Sequence, residues 1–237
     1  MVVGASGATG RFLVEQLLKC VENVKAIIRS PDKLPDVLVG HNNLTVIHAS
    51  VLNLSDSEMA RHVKGCDAVA SCLRHNLSLK GIFGRPRRLV TDATTRLCHA
   101  IKANPSQRPT KFVLMNTAGN SNRDLHEPVS FGQRCVIGLL RLLLPPHVDN
   151  EQAADYLRAR IGRNDNAIEW AVVRPDSLTD ETCVTEYDAH SSPTRSAIFD
   201  PGSTSRINVG DFMAQLITDD STWRLWKGHM PVVYNRT

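Results

Sequence analysis

A glycine-rich turn near the start of the chain has the residue types and spacing best suited to chemistry. Gly4, Gly7 and Gly10 are spaced G-x-x-G-x-x-G between the apolar pair Val2-Val3 and a helix-forming run. The first glycine permits a tight turn with positive φ, the middle one lets a phosphate approach the backbone, and the last lets the helix pack on the strand. The N–H groups and positive dipole end of that helix would then face the phosphate.

A tight turn without a ligand is the alternative interpretation of this spacing. Its position between a predicted strand and a predicted helix, with a second strand following, favours dinucleotide binding. The turn residues that we expect to contact a cofactor are Gly4, Ser6, Gly7, Ala8, Thr9 and Gly10.

A basic residue ends the second predicted strand, residues 24–29. The strand, helix and strand together span about thirty residues, which is the size of one βαβ unit. An acid at the end of the second strand would bind the ribose 2′-OH, whereas a base suits a 2′-phosphate. Arg29 therefore favours NADP over NAD, and a surface arginine is the alternative.

Strand-like and helix-like segments alternate along the chain. Further strands are predicted at 44–50, 67–73, 111–117 and 168–175, and a capping box formed by Ser55 and Glu58 marks a helix start. The alternation predicts an α/β protein, a Rossmann-type doubly wound, mostly parallel sheet with helices on both faces, in a single domain over 1–237. Ligands of such sheets lie beyond the carboxyl ends of the strands. The candidate residues there are Ser50, Val51, Cys72, Leu73, Arg74, Thr117, Pro175 and Asp176.

Two stretches depart from the alternation, residues 121–150 and 180–205, and we expect them to be substrate-side insertions. The first contains an apolar helix-like run, 136–144, ended by Pro145-Pro146. Such a run suits core packing and a lid over the site equally well. His147 follows the prolines and could supply a proton from the lid, although its position is more typical of a solvated loop histidine.

Composition restricts the partners of the protein. A net charge of +4 is modest, and the cluster of Arg85, Arg87 and Arg88 is more typical of a solvated loop or a phosphate contact than of a nucleic-acid patch. The six cysteines show no metal-ligand spacing, and no apolar run has the ~18 residues of a membrane span. We therefore expect a cytoplasmic monomer or weak dimer acting on a small molecule, without a metal, nucleic acid or membrane. The short first strand suggests that native residues precede Met1.

Several motifs recur in the order found in a known family. They are the glycine turn, Arg29-Ser30, the run 153–158, the run 170–180 and the run 206–213. In this order they resemble the atypical short-chain dehydrogenase/reductases with an NAD(P)H-binding, nitrogen-regulator-like domain. The most similar branch is the flavin reductase/biliverdin-IXβ reductase-like group, and the resemblance is weakest over 121–150.

The resemblance implies a Rossmann domain that binds NADP(H). Thr9 and the glycine turn would hold the pyrophosphate, and Arg29 the 2′-phosphate. The remaining contacts implied are Ser50 and Val51 near adenine, Leu73 and Arg74 beside the ribose, Thr117 near the nicotinamide, and Pro175 with Asp176. The sequence departs from the family at Ser50, at Arg74 and at Asp176, where the reductase branch has histidine.

Catalytic residues are less clearly indicated. The ordinary short-chain dehydrogenase uses Tyr-x-x-x-Lys, and the nearest pattern here is Tyr156 with Arg160, which cannot exchange a proton. Tyr156 and Thr117 are the catalytic candidates; a packing tyrosine and a loop-capping threonine are the alternatives. The sequence favours an NADPH-dependent reductase of a flavin, quinone or carbonyl compound. The alternative is an NADP(H)-binding redox sensor without turnover.

Overall fold

The structure is a computed structural model that describes residues 1–30, 35, 38–76, 78–127 and 129–236. Its strands are β1 (Val2–Val3), β2 (Val24–Ile28), β3 (Leu44–His48), β4 (Ala68–Ser71), β5 (Thr110–Met115), β6 (Ile168–Pro175), β7 (Ser177–Thr179), β8 (Tyr187–His190), β9 (Ser203–Ser205) and β10 (Val232–Asn235). Its helices are α1 (Gly10–Lys19), α2 (Asp56–Val63), α3 (Leu79–Phe83), α4 (Leu89–Lys102), α5 (Phe131–Leu143), α6 (Pro145–Tyr156), α7 (Arg206–Thr218) and α8 (Asp220–Trp226). A π-helical turn, Leu157–Ile161, extends α6.

Eight of these strands form one sheet in the order β3-β2-β1-β4-β5-β6-β10-β8. Every pairing in it is parallel except that of β10 with β8. The strand order reverses between β1 and β4, where Val3 pairs with both Ile27 and Ser71. Such a reversal opens a crevice beyond the carboxyl ends of the two strands. The doubly wound, mostly parallel sheet predicted from the sequence is therefore confirmed.

The core has two layers, one on each face of the sheet. Helices α1, α7 and α8 cover the first face through side chains such as Leu13, Phe212 and Trp223, and α2, α4 and α6 cover the second. Alternate residues of β5 belong to opposite layers: Val113 and Met115 to the first, and Phe112 and Leu114 to the second. Because both faces are covered, the parallel strands are apolar on both sides, and only their ends carry polar groups.

Among the elements not predicted from the sequence are β7, β8, β9, β10 and α6. Strand β10 joins the sheet beside β6, and β8 lies within the 180–205 stretch. Strands β7 and β9 form a separate pair. Pro145-Pro146 occupies the first turn of α6, so the prolines begin a second helix directly after α5 ends. Proline suits that turn, because its missing N–H has no acceptor there and its fixed φ is helical.

A buried arginine joins the sheet to its insertions. The Arg174 side chain, near the end of β6, is fully buried and pairs with Glu127, whose side chain is only 2% exposed. Nε donates to the Met230 carbonyl at 2.6 Å, and Nη1 donates to the Asn120 carbonyl at 2.8 Å. The remaining N–H groups donate to the Glu127 carboxylate and to the Ser191 carbonyl. One side chain therefore connects β6 to three separate loops.

Loss of the Arg174 guanidinium should destabilise the protein severely. Arg174→Met leaves the Glu127 carboxylate buried without a partner, and we expect a loss of about 3–5 kcal/mol in the free energy of unfolding. Urea denaturation followed by circular dichroism measures it. The matched control is Arg195→Met, which breaks the exposed Arg195–Asp200 pair and should cost at most about 1 kcal/mol. Equal losses in the two variants would contradict the structural role of Arg174.

Candidate active site

The glycine turn leaves β1 between the ends of β2 and β4. Gly4 has φ of +75°, and a Cβ there would lie 2.7 Å from the carbonyl carbon of Cys72. A Cβ at Gly10 would lie 2.9 Å from the carbonyl carbon of Gly4. The Gly7 N–H closes the turn by donating to the Gly4 carbonyl at 3.0 Å. Two of the three glycines are therefore dictated by close backbone packing and, at Gly4, by positive φ.

Several backbone donors of this turn are available to an anion. Within the part of the chain that the structure describes, the N–H groups of Ala8, Thr9 and Gly10 have no hydrogen-bond acceptor. Thr9 is the N-cap of α1 and makes no side-chain capping bond, while Ser6 and Gly7 are half-buried. Consecutive free N–H groups at a helix N-terminus suit a phosphate. These residues could hold the pyrophosphate of a dinucleotide.

The ends of β2 and β3 lie on one side of this turn. Arg29 directly follows β2 and is exposed. The register pairs Ile28 with His48, so the next residues of both strands leave the same edge of the sheet. The Ser50 carbonyl accepts from the Asn53 N–H at 2.9 Å. The Val51 side chain is buried, and its carbonyl accepts from Arg96 Nη1 at 3.0 Å. This geometry leaves Arg29 as the candidate contact for a charged group.

The end of β4 lies on the other side of the turn. Cys72 is buried with its Sγ 3.9 Å from Met213 Sδ, and burial raises the pKa of its thiol to about 12. The thiol is therefore protonated at neutral pH and can only pack. Leu73 packs against the core, and Arg74 is exposed. Of these three residues, only Arg74 is charged, and its side chain is exposed beyond the end of β4.

A buried histidine–carboxylate pair fixes the loop after β4, and sequence reasoning missed it. His75 Nε2 lies 2.7 Å from Asp149 Oδ2, and both side chains are at most 5% exposed. The same carboxylate accepts the backbone N–H groups of Val90 and Thr91, which begin α4. Asp149 therefore caps α4 from a distant part of the chain. The sequence separation of 74 residues offers no local signal for this contact.

Thr117 lies just beyond β5 and is half-buried. Its backbone N–H donates to Asn116 Oδ1 at 2.9 Å, and its Oγ1 accepts from the Gly119 N–H at 3.3 Å. Asn116 also donates through Nδ2 to the Asn150 carbonyl at 2.9 Å, which ties α6 to the end of β5. The hydroxyl hydrogen of Thr117 is left available to a bound molecule. Thr117 therefore caps its own loop and could also orient a ligand.

Pro175 and Asp176 hold the second insertion in place. The Pro175 carbonyl accepts from the Ala118 N–H at 2.9 Å. Asp176 accepts through Oδ2 from the Gly202 N–H at 3.0 Å, and its own N–H donates to Thr204 Oγ1. Burial raises the pKa of Asp176 above its usual value, although hydrogen bonds from the backbone N–H groups of Gly202 and Ser177 oppose the effect. The carboxylate that stands in place of the branch's histidine is therefore occupied by the loop.

The structure places Tyr156 away from this edge. Asn150 of α6 lies beside the end of β5, because its carbonyl accepts from Asn116 Nδ2. Tyr156 lies six residues farther along α6, which corresponds to about 9 Å at 1.5 Å per residue. Tyr156 packs against the second core layer. Burial raises the pKa of its phenol, and nearby Cys98 and Asp165 add to the effect. Asp165 lies just before β6 begins, at the amino edge of the sheet. This geometry supports the packing interpretation of Tyr156 and not a catalytic role.

The first insertion presents an apolar surface. Helix α5 buries Gln133 and Ile137 but exposes four large apolar side chains: Phe131, Leu139, Leu142 and Leu143. Among the described residues, no helix combines the length and apolar character that a bilayer span requires. Nor does any group of three or more His, Cys, Asp or Glu side chains in that part of the chain suit a metal ion.

Comparisons with solved structures identify the fold. The oxidoreductase ylbE from Lactococcus lactis is 19% identical with a TM-score of 0.68, and the match covers 100% of this chain and 92% of that one. A short-chain dehydrogenase/reductase from Veillonella parvula in complex with NADP is 15% identical with a TM-score of 0.67, covering 99% and 93%. The anaerobillin reductase ChuY from Escherichia coli O157:H7 is 15% identical with a TM-score of 0.67, covering 99% and 95%.

Comparison at the level of sequence identifies the family. No curated protein sequence matches the chain. A family model described as NAD(P)H-binding matches residues 4–220, from the first glycine of the turn to the start of α8. That range includes the switch point of the sheet and every strand end described above. The chain therefore belongs to the NAD(P)H-binding family, with a Rossmann-type fold.

Proposed function

We propose that the protein is an NADPH-dependent reductase that transfers hydride to a small acceptor, such as a flavin, a quinone or a carbonyl compound. The observation that carries the proposal is the enclosure of the end of β5. The bond from Asn116 Nδ2 to the Asn150 carbonyl fixes α6 beside Thr117. An acceptor site needs such a covered position, because hydride transfer requires that water be excluded and the partners be aligned.

The cofactor preference rests on Arg29. An exposed guanidinium directly after β2, beside the glycine turn, is where an adenosine 2′-phosphate would lie. Arginine recognises phosphate through bidentate, charge-assisted hydrogen bonds. We infer that Arg29 selects NADP(H), that the turn from Gly4 to Gly10 holds the pyrophosphate, and that Arg74 lies beside the ribose. Ser50 and Val51 would face the adenine.

The protein's part in the reaction is positioning. When bound, the reduced nicotinamide supplies the hydride. Thr117 orients the nicotinamide or the acceptor through its hydroxyl, with the hydroxyl oxygen already fixed by the Gly119 N–H. The apolar residues of α5 are suited to covering a planar acceptor and excluding water. We propose that 121–150 and 180–205 form this substrate side of a single domain.

The cysteines support a reducing compartment. All six are free thiols, including the exposed Cys20, Cys135 and Cys183. Exposed thiols without partners are typical of proteins kept reduced. We infer a cytoplasmic monomer or weak dimer.

A second candidate function is an NADP(H)-binding redox sensor without turnover. The position of Tyr156 favours it, because no Tyr–Lys pair stands at the carboxyl edge within the described residues. Incubation of the protein with NADPH and a panel of flavins, quinones and aldehydes separates the two. Oxidation of NADPH above the protein-free rate supports the reductase. Binding of NADPH without its oxidation by any acceptor of the panel would exclude the reductase and support the redox sensor.

Replacement of Arg29 should change cofactor preference. Arg29→Ala removes a charge-assisted hydrogen bond worth about 1.5–3 kcal/mol, so the Kd for NADPH should rise roughly tenfold or more, while that for NADH stays the same. Calorimetry with both cofactors measures it. Arg108→Ala, at an exposed residue before β5, is the control and should leave both values unchanged. An equal change for NADH and NADPH would show that Arg29 does not contact the 2′-phosphate.

Replacement of Thr117 should separate its two hydrogen-bonding roles. Thr117→Val keeps the shape and removes the hydroxyl, and we expect kcat with phenanthrenequinone to fall about tenfold, through the loss of one hydrogen bond of about 1–1.5 kcal/mol. Thr117→Ser retains the hydroxyl and should retain most of the activity. Thermal melting of both variants measures the loop-capping contribution separately. Wild-type kcat in the valine variant would exclude Thr117 from the reaction.

A further inference from the structure

His147 is a half-buried helical residue beside the site and not a solvated loop residue. It lies in the first turn of α6, and its side chain is only 11% exposed, so the interpretation favoured from sequence was wrong. Its Cε1 lies 3.8 Å from the position that a Cβ on Gly119 would take, and Thr117 Oγ1 lies 3.7 Å from the same position. The imidazole and the hydroxyl therefore flank one glycine, just beyond the end of β5.

The imidazole is held next to a carboxylate. Its Nε2 lies 3.4 Å from Glu151 Oε1, one helical turn away. That nitrogen is buried and makes no hydrogen bond within the described ranges. Arg141 of α5 forms a bidentate ion pair with the same carboxylate, donating from Nε at 2.9 Å and from Nη2 at 2.8 Å. The histidine, the glutamate and the arginine thus connect both helices of the insertion.

The carboxylate of this group is permanently ionised. Burial alone would raise the pKa of Glu151, but the hydrogen bonds from Arg141 and the nearby imidazole of His147 outweigh that effect and lower the pKa to about 2. A fixed negative charge on one side of an imidazole orients the ring and selects which nitrogen carries a proton. In the imidazole ring Cε1 lies between Nδ1 and Nε2. Because Nε2 faces Glu151, Nδ1 points away from that carboxylate.

The charged groups that face His147 come from its own helix and from α5. On its own helix the facing charge is Glu151, and on α5 it is Arg141. The loop after β5 contributes the neutral groups Asn116, Thr117 and Asn120. Asp176 is occupied by the Gly202 N–H, and Tyr156 lies about 9 Å farther along α6. Among these residues, only His147 combines the right position with a proton to give.

We propose that His147 is the proton donor of the reduction, and that Glu151 and Arg141 are the residues that position it. This rests on the proposed reductase function and names the acid that function requires. The doubly protonated ring of His147 would give its Nδ1 proton to the acceptor oxygen and keep the proton on the Nε2 that faces Glu151, while the adjacent carbon would receive hydride from the bound reduced nicotinamide. The N–H bond and the nicotinamide C–H bond would break, O–H and C–H bonds would form, and the carbonyl π pair would become the bonding pair of the new O–H bond. Solvent then restores the proton to the ring.

The first test locates His147 relative to the nicotinamide and needs no turnover. Protein labelled with carbon-13 at histidine Cε1 is titrated with NADP⁺ and, separately, with adenosine 2′,5′-bisphosphate, while calorimetry confirms binding. The resonance missing from the His147→Gln spectrum should shift with NADP⁺ and not with the bisphosphate. Binding of NADP⁺ without this shift overturns the proposal and leaves the reductase function standing. Failure of NADP⁺ to bind overturns both.

The second test measures proton donation. With NADPH and phenanthrenequinone, His147→Ala should lower kcat by about a hundredfold, the low end of general acid catalysis, with little change in the Kd for NADPH. Added imidazole should restore part of the rate, which no purely structural role would allow. His99→Asn, at an exposed histidine near the end of α4, is the control and should match wild type.

The supporting residue gives a third readout. Glu151→Gln keeps the shape and removes the charge, so kcat should fall while the Kd for NADPH stays the same, and imidazole should not restore the rate. If His147→Ala proves unstable in a thermal melt, His147→Gln replaces it in the kinetic comparison. Wild-type kcat in either histidine variant, with an active wild-type enzyme, overturns the proposal.

Discussion

The buried guanidinium of Arg174 is the interaction on which the loops after β5 and β8 depend. All five of its N–H groups donate hydrogen bonds. The acceptors lie in the loop before β10, in the loop after β5 and in the loop after β8. Glu127 in turn accepts the Asn122 N–H at 2.8 Å, so the start of the first insertion folds around the same charge. A buried ion pair contributes little net stability, but its geometry is demanding. Its effect here is to fix where the loops leave the sheet.

That constraint carries over directly to the site. The residue after Arg174 is Pro175, whose carbonyl accepts from the Ala118 N–H, and the next is Asp176, which holds the second insertion. Thr117 is therefore positioned by a backbone contact one residue away from it. The second buried pair, His75 with Asp149, acts similarly on the loop after β4 and on α6. Two buried ionisable pairs thus align the polar ends of β4, β5 and β6.

The parts of the structure that could be predicted from sequence are those whose cause is local. Gly4 and Gly10 are required by packing within a few residues, and the capping box of Ser55 and Glu58 formed as expected. The apolar strands up to β6 were found because both faces of a parallel sheet are covered. Strand β10 was missed because its place in the sheet depends on pairing with β6, which lies far away in sequence.

The parts that could not be predicted depend on contacts between distant residues. Arg174 was noted only as part of a strand, since nothing near it in sequence marks Glu127 as its partner. Pro145-Pro146 was expected to end a helical run, which it does, but proline is also favoured in a first turn, and the structure uses both properties. That second helix is what shields His147 from solvent, so the missed helix start at the prolines and the error about the histidine have one cause.

The contrast between local causes and long-range contacts also separates the proposed cofactor site from the proposed acceptor site. The glycine turn proposed to bind the pyrophosphate is built from seven consecutive residues, and a chain can retain it whatever else changes. The surroundings of Thr117 are assembled from β5, β6 and both helices of the insertion, held by charges buried between them. Hydride transfer asks little of protein chemistry beyond alignment and a source of protons. On the proposed function, the acceptor site therefore depends on the few long-range pairs that hold α5 and α6 against the end of β5.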